Sequence, residues 1–151
     1  MHQPVEFRIR PSMPADTAAL VAIWHAAVCA THDFLAPQDV EDIAVMVAED
    51  YLPHTEVWVV LDAAGMPRGF MGMSAANIDS LFIDPACHGR GLGRALIGHA
   101  RSISPRLSVD VNEQNRQALG FYQKMGFVTG GRSATDDQGR PYPLLHMHLA
   151  P

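Results

Sequence analysis

Residues 88–96 read HGRGLGRAL, in which a glycine recurs at every second position from Gly89 to Gly93 before an apolar, helix-forming stretch. Glycine inside a helix costs about 1 kcal/mol relative to alanine. That cost is offset where the backbone at a helix N-terminus must come close to a phosphate, because the free N–H groups and the helix dipole attract anions. The segment therefore predicts either a phosphate-binding helix start or a tight strand-to-helix turn.

The helix that follows has one apolar side. Its apolar residues recur at helical spacing, which predicts a buried stripe of Leu92, Leu96, Ala100 and Ile103. The amides of residues 88–93 are then left at the opening turn to face a ligand, and Arg90 and Arg94 add positive charge beside them. Two common phosphate motifs do not fit this segment, since the glycine spacing departs from G-x-G-x-x-G and from G-x-x-x-x-G-K-[ST].

Size and composition restrict the class of protein. The chain has 151 residues, 48% of them hydrophobic, which suits one buried core, so we expect a single domain over residues 1–151. The net charge of −5 offers no broad basic surface, so nucleic-acid and membrane partners are not expected. The polar start at residues 1–10, the absence of a membrane-length apolar run and only two cysteines favour a cytoplasmic protein.

The hydrophobic periodicity along the chain predicts the element order β-α-α-β-β-β-α-β-α-β-β and an α/β fold. The first strand is expected at residues 7–10 and is followed by a helix capped by Asp16. A second helix is expected next, with Val40, Ile43, Val47 and Tyr51 on one side, and Pro53 ends it. Two hairpin strands are expected at residues 57–61 and 70–75, and a third strand at 78–83. A glycine-led helix at 92–102, a strand at 107–111 and a helix at 115–125 follow. A closing pair of strands is expected at 127–133 and 144–149.

The glycine segment resembles the cofactor loop of the GNAT acetyltransferase superfamily, [QR]-x-x-G-x-[GA], which here is HGRGLG over residues 88–93, with His88 in place of Gln or Arg. NRQALGFYQKMGF at residues 115–127 is similar to the superfamily's N-x-x-A-x-x-F-Y-x-x-x-G-F block. The residues alone agree, since Asn115 is a good N-cap and Gly126 suits a left-handed helix end. THDFL, VNEQN and GRPYPLL resemble the small bacterial YjaB-type acetyltransferases.

This resemblance implies the GNAT acyl-CoA N-acyltransferase fold, with a mixed sheet, and acetyl-CoA as co-substrate. The cofactor would lie in a cleft where the strands around residues 81–83 and 107–111 separate, and the N–H of Ile83 would polarise the thioester carbonyl. The cofactor-binding residues implied are Leu81, Phe82, Ile83, His88, Gly89, Arg90, Gly91, Leu92, Gly93, Arg94 and Asn115.

Two residues are predicted to be catalytic. Tyr122 matches the family's general-acid tyrosine, which would protonate the departing thiolate. Asp110 is the first candidate for the base, because alternation along the strand puts it on the face opposite Val109 and Val111, which is consistent with a carboxylate that faces the cleft. A solvated or hydrogen-bonded strand aspartate is the alternative for Asp110, and Asp79 and Glu113 are weaker candidates for the base.

The resemblance also places the amine acceptor beneath THDFL and the closing hairpin, where His32, Phe34 and Tyr142 would form an aromatic mouth. Asp33 and Asp137 would make that mouth acidic and suited to a cationic amine. The acceptor can be a small molecule or a peptide, and the chain a monomer or a homodimer. No metal is expected, since His146 and His148 share one strand face without a third ligand and are interpreted as ordinary strand residues.

The function predicted from these features is acetyl transfer from acetyl-CoA to a primary amine, by direct attack in a ternary complex. A non-catalytic acyl-CoA binding or sensor module is the alternative, which would keep the glycine loop without needing Tyr122. An RNA-modifying acetyltransferase is a further alternative, but it would require a basic surface that the net charge of −5 does not supply.

Overall fold

The computed structural model describes residues 7–150, so that most of the polar N-terminal segment considered above lies outside the described range. The element order is the predicted one. The elements are β1 (Arg8–Pro11), α1 (Thr17–Thr31), α2 (Pro37–Met46), β2 (Trp58–Leu61), β3 (Pro67–Ser74), β4 (Asn77–Ile83), α3 (Leu92–Ile103), β5 (Ser108–Asn112), α4 (Arg116–Lys124), β6 (Phe127–Ser133) and β7 (Leu144–Leu149). A wider helical turn, Val47–Tyr51, continues α2.

The seven strands form one mixed sheet in the order β1-β2-β3-β4-β5-β7-β6. The pair β4 and β5 is parallel, because α3 crosses over between them, and the other neighbouring pairs are antiparallel. The register of the parallel pair joins Asn77 to Ser108 and Ile78 to Val109 and goes no further. The predicted separation of the two strands is therefore confirmed, and it begins just after Ile78 and Val109.

Each face of the sheet buries its own core. The face covered by α3 and α4 packs around residues that include Ile78, Val109, Val111, Tyr122 and Met147. The face covered by α1 and α2 packs around residues that include Leu20, Trp24, Val59, Leu61 and Phe70. Successive strand residues alternate between the faces, so that on β2 Val60 packs in the first core and Val59 and Leu61 in the second.

The buried stripe of α3 differs from the prediction at its end. Leu92, Leu96 and Ala100 are buried as expected. Ile103 is 49% exposed, so its place in the stripe was predicted wrongly, and Ile97 is buried instead. Ile103 is the last residue of the helix, and the final turn is not covered by the sheet.

Asp16 directly precedes α1, but its predicted role as a helix cap is wrong, since its side chain accepts no N–H from that helix. Its carboxylate accepts the Met13 N–H at 2.8 Å and pairs with both terminal nitrogens of Arg10, at 2.8 and 3.0 Å. The hydrogen bonds from Arg10 are the main reason that the pKa of Asp16 lies below its usual value. Asp16 therefore fastens β1 to the start of α1.

Candidate active site

The separation of β4 and β5 opens a cleft of about 560 Å³, called here the β4–β5 cleft. It is bounded by the end of β4, the glycine loop, the start of α3 and the inner side of α4. The predicted cofactor residues in its lining are Leu81, Phe82, Ile83, His88, Gly89, Gly91, Leu92, Gly93, Arg94 and Asn115. Arg90 does not line it; it borders a separate, smaller recess beside Asp62 and Arg68.

The end of β4 presents backbone hydrogen-bonding groups to the cleft. Asp84, the residue after β4, donates its N–H to the carbonyl of Arg68 on β3 at 2.8 Å. Because successive backbone groups of a strand point to alternate sides, the N–H and C=O groups of Leu81 and Ile83 point away from β3, into the gap beside β5. No β5 residue pairs with them, so they are positioned to bind an extended ligand as a further strand would.

The glycine loop has a backbone that side chains would disfavour. Gly89 and Gly91 have φ of 78° and 85°, in the left-handed region where glycine is strongly preferred. A Cβ added at either position would meet nothing within 4 Å, so the space beside the loop is open. Gly91 directly precedes Leu92, the first residue of α3. The N–H groups of the first turn of α3 thus adjoin an open space of the kind that a diphosphate needs.

The loop is also fastened to α4. A Cβ at Gly93 would lie 3.0 Å from the ring of Phe121, so the absence of a side chain there lets α3 pack closely on α4. The side-chain amide of Gln117 donates to Nδ1 of His88 at 2.8 Å. Sequence reasoning missed Gln117, because nothing local relates two exposed polar residues 29 positions apart. The pair holds the first residue of the glycine loop against α4.

The helix α4 has the two ends that the sequence predicts. Oδ1 of Asn115 accepts the N–H of Ala118 at 3.1 Å, which confirms the N-cap. Gly126 has φ of 99°, which confirms the left-handed position after the helix. Between these ends Tyr122 is buried, lines the cleft, and packs edge-on between the rings of Phe121 and Phe127. Burial raises the pKa of Tyr122, so its phenol stays protonated at neutral pH.

His32 links the acceptor loop to the cleft. The hydroxyl of Thr31 donates to the carbonyl of Ala27 at 2.8 Å, so its oxygen is left to accept from Nδ1 of His32 at 2.7 Å. The side-chain amide of Asn115 lies 3.4 Å from Nε2 of His32 and can donate to it. These bonds fit a neutral imidazole with its proton on Nδ1, and burial lowers the pKa of His32.

Phe34 and Tyr142, the other two residues predicted to bind the acceptor, do not line the cleft. Phe34 packs between His32 and Tyr142, with ring centroids 5.1 and 6.0 Å apart. The Tyr142 hydroxyl donates to the Asp39 carboxylate and accepts the N–H of Ala36 at 3.0 Å, which joins the closing hairpin to α2. The hydrogen bond to Asp39 raises the pKa of Tyr142. Arg140 lies 3.6 Å from Asp39, so the mouth is less acidic than the sequence suggests.

Asp110 does not face the cleft as expected: it is absent from the cleft lining and lies on the opposite side of the sheet from the α3–α4 core, in which Val109 and Val111 are buried. It follows Val109, the last β5 residue that pairs with β4. Oδ1 of Asp110 is 2.6 Å from Nδ1 of His146 on β7, and Nε2 of His146 is 2.6 Å from Oγ of Ser133 on β6. The side of the sheet that carries these three side chains is called here the open face of β5, β7 and β6. The alternative considered for Asp110 was a solvated or hydrogen-bonded strand aspartate, and the structure shows its carboxylate hydrogen-bonded.

A second polar pair, Tyr51 and Ser80, joins the helical turn after α2 to β4. The Tyr51 hydroxyl is 2.8 Å from Oγ of Ser80, which accepts the N–H of Gly72 at 3.0 Å. A Cβ at Gly72 would clash with the Tyr51 hydroxyl and with Oγ of Ser80, so a larger residue at this position would displace the pair. Burial raises the pKa of Tyr51. The sequence predicted Tyr51 only as a helix residue, since its partner on β4 is distant in the chain.

Residues 7–150 contain neither a cluster of metal ligands nor a helix that could span a membrane. No three His, Cys, Asp or Glu side chains of this range are grouped closely enough to hold a metal ion. No helix of the range combines the length and the apolar character that crossing a membrane requires.

A mixed sheet whose parallel strands part beside a glycine-led helix defines the acyl-CoA N-acyltransferase class of fold. Residues 53–129 match the acetyltransferase (GNAT) domain. The chain is 47% identical to the peptidyl-lysine N-acetyltransferase YjaB of Escherichia coli strain K12, over 92% of this chain and 94% of YjaB. It therefore belongs to the GNAT acetyltransferase family and is an N-acetyltransferase, which confirms the predicted family and activity and disfavours a non-catalytic sensor.

Solved structures support the same assignment. The solution structure of the apo form of YjaB from Escherichia coli superposes with a TM-score of 0.92 at 45% identity, covering 96% of this chain and 98% of that one. The PaiA N-acetyltransferase of Thermoplasma acidophilum, solved in complex with coenzyme A, superposes with a TM-score of 0.79 at 17% identity, covering 97% and 99%. The second likeness shows the fold alone.

Proposed function

We propose that this protein, as a single domain over residues 1–151, transfers the acetyl group of acetyl-CoA to the side-chain amine of a peptidyl lysine by direct attack in a ternary complex. The similarity to YjaB, named a peptidyl-lysine N-acetyltransferase, supports a lysine in a peptide as acceptor. Action in the cytoplasm is part of the proposal, and free cysteines at positions 29 and 87 are compatible with a reducing compartment.

One observation carries the direct transfer: Tyr122 and Asp110 lie on opposite sides of the sheet at the point where β4 and β5 separate. Tyr122 belongs to the core beneath α3 and α4, whereas Asp110 points away from that core, because Val109 and Val111 on either side of it are buried there. Two substrates can therefore approach the gap from opposite faces and meet without a covalent enzyme intermediate.

The cofactor side of the gap is proposed to act through the main chain. The N–H groups at the start of α3, opened by Gly89 and Gly91, would bind the diphosphate, and Arg94 would add charge. The backbone of Leu81 and Ile83 would pair with the pantetheine arm. The N–H of Ile83 would also donate to the thioester oxygen, an interaction worth roughly 3 kcal/mol in the transition state.

Two side chains are proposed to move protons. An alkyl amine is mostly protonated at neutral pH, so it must lose a proton before it attacks. Asp110 would bind the ammonium group and take that proton, directly or through water. Tyr122, which burial keeps protonated, would donate its phenolic proton to the departing thiolate. Each such transfer contributes on the order of a hundredfold or more in rate.

The test combines thiol release with mass spectrometry. The purified protein is incubated with acetyl-CoA and a panel of lysine peptides, polyamines, aminoglycosides and free amino acids. We expect acetyl-CoA-dependent thiol release with the lysine peptides and one added acetyl group on the lysine side chain. Turnover confined to the small amines would contradict the proposed acceptor, and an acetylated enzyme cysteine formed as an intermediate would contradict direct attack.

A further inference from the structure

The open face carries a hydrogen-bonded chain of three side chains from three neighbouring strands. His146 lies directly opposite Asp110 in the β5–β7 register, and Ser133 comes from β6 on the other side of β7. Both contacts of the imidazole, to Oδ1 of Asp110 and to Oγ of Ser133, measure 2.6 Å. This series of hydrogen-bonded side chains begins with Asp110, beside the gap between β4 and β5, and ends with Ser133 on the edge strand β6. It therefore connects the carboxylate proposed to bind the amine with the solvent-exposed edge of the sheet.

His146 uses only one oxygen of the carboxylate. Nδ1 of His146 donates to Oδ1 of Asp110, and within residues 7–150 Oδ2 makes no hydrogen bond. The Asp110 and His146 side chains are 39% and 42% exposed, so an approaching amine can reach the pair. A carboxylate held at one oxygen keeps its orientation and leaves the second oxygen available for an ammonium group.

Few charged groups share this face with the pair. On β4 the face carries Asp79, which accepts from Asn77, and Asn77 in turn accepts from Ser108 on the Asp110 side of β5. On β7 the other titratable residue of the face is His148, two positions along. On β6 the partners on this face are Val128, Gly131 and Ser133, which carry no charge. The ion pair of Arg132 and Glu113 belongs to the other face, because Arg132 pairs with Leu145, which packs on the α3–α4 core.

We propose that His146, held by Ser133, is a positioning residue that orients Asp110 toward the acceptor lysine. The inference rests on the proposed function, in which Asp110 binds the acceptor amine. The hydrogen bond to Oδ1 restricts the orientations that the Asp110 carboxylate can take and leaves Oδ2 to bind the ammonium group.

Steady-state kinetics of two His146 variants test whether the hydrogen bond to Asp110 orients the carboxylate. His146→Ala removes the hydrogen bond to Asp110, and we expect the KM for a lysine peptide to rise about threefold to fivefold, the scale of a part-exposed ion pair, while the KM for acetyl-CoA stays unchanged. His146→Asn can still donate from a nitrogen placed like Nδ1 and should restore most of the peptide KM. Ser133→Ala should raise it by about twofold.

His148→Asn is the matched control, since it replaces a histidine on the same strand and face. His148 makes no hydrogen bond to Asp110, so this variant should keep the peptide KM of the wild type. A rise confined to the His146 and Ser133 variants would show that the contact with Asp110 is what matters.

The outcomes separate this inference from the proposed function. If the wild type acetylates no lysine peptide, or if Asp110→Asn leaves the peptide kcat/KM unchanged, the proposed function or the role of Asp110 fails. If Asp110→Asn impairs peptide acetylation but His146→Ala leaves the peptide KM unchanged, or His148→Asn raises it as much as His146→Ala does, the inference about His146 is overturned. Thermal unfolding of each variant establishes that it is folded. If His146→Ala does not fold, Ser133→Ala is the deciding variant, and an unchanged peptide KM in it overturns the inference.

Discussion

The β4–β5 cleft and the open face lie on opposite sides of the same gap and differ in construction. In the cleft, binding groups are mostly backbone N–H and C=O groups, positioned by glycines and by the buried start of α3. On the open face they are exposed side chains joined across strands, such as Asp110 and His146. A side-chain substitution leaves backbone groups in place, whereas it removes the binding groups of the open face. Cofactor binding should therefore resist side-chain changes that strongly alter acceptor binding.

The largest expected effect comes from the one cleft side chain that we place in the chemistry. Tyr122→Phe removes the phenolic proton donor and leaves the packing between Phe121 and Phe127 in place. We expect kcat to fall by about a hundredfold, and the affinity for acetyl-CoA, measured by titration calorimetry, to change little. A variant with unchanged turnover would remove Tyr122 from the mechanism.

The glycine loop tests whether the main chain binds the cofactor. Gly91→Ala places a methyl group in the open space beside α3 and strains a φ of 85°, so we expect acetyl-CoA affinity to fall by about tenfold or more. Gly98→Ala is the matched control, because a Cβ there meets nothing within 4 Å and no positive φ is required. It should keep the affinity and stabilise the helix by up to about 1 kcal/mol. Equal affinities in the two variants would contradict the account.

The closing hairpin should affect only the acceptor. Tyr142→Phe removes the hydrogen bonds to Asp39 and from Ala36 but keeps the ring against Phe34. We expect the free energy of unfolding to fall by about 1 kcal/mol and the peptide KM to rise by a few-fold, with acetyl-CoA affinity unchanged. A fall in acetyl-CoA affinity of the same size, measured by calorimetry, would show that the two regions are not independent.

The smallest effect concerns His32, at the border of the two regions. Burial lowers its pKa in the folded protein, so below about pH 6.5 the unfolded chain takes up a proton that the folded chain does not. The free energy of unfolding should therefore decrease as pH falls from about 6.5 to the lowered folded pKa. Thermal unfolding of the wild type and His32→Asn between about pH 7 and pH 5 tests this, and parallel pH profiles would contradict it.

The same contrast explains how much the sequence predicted. The element order, the N-cap at Asn115 and the left-handed Gly126 depend on residues close together in the chain, and each was confirmed. The residues of the glycine loop that line the cleft are predictable for the same reason, because their motif at residues 88–93 is one contiguous stretch of sequence. Ile103 and Asp16 were predicted wrongly, because coverage of the last helical turn and the pairing of Asp16 with Arg10 are decided by packing.

The open face could not be predicted in this way. His146 and Asp110 are 36 residues apart, and their contact depends on the β5–β7 register, which hydrophobic alternation does not determine. Alternation did predict that Asp110 points away from Val109 and Val111. It also predicted that His146 and His148 share a face, but not which residue each would oppose. The roles of these residues remain predictions.

The most direct measurement of the central claim is an amide NMR titration of the protein with acetyl-CoA. The account predicts that the N–H signals of residues 89–94 and of Leu81 and Ile83 shift on binding, while those of residues 135–140 in the closing hairpin do not. Saturable binding that leaves the glycine-loop and β4 amides unshifted, or that shifts only the hairpin, would contradict a main-chain site for the cofactor.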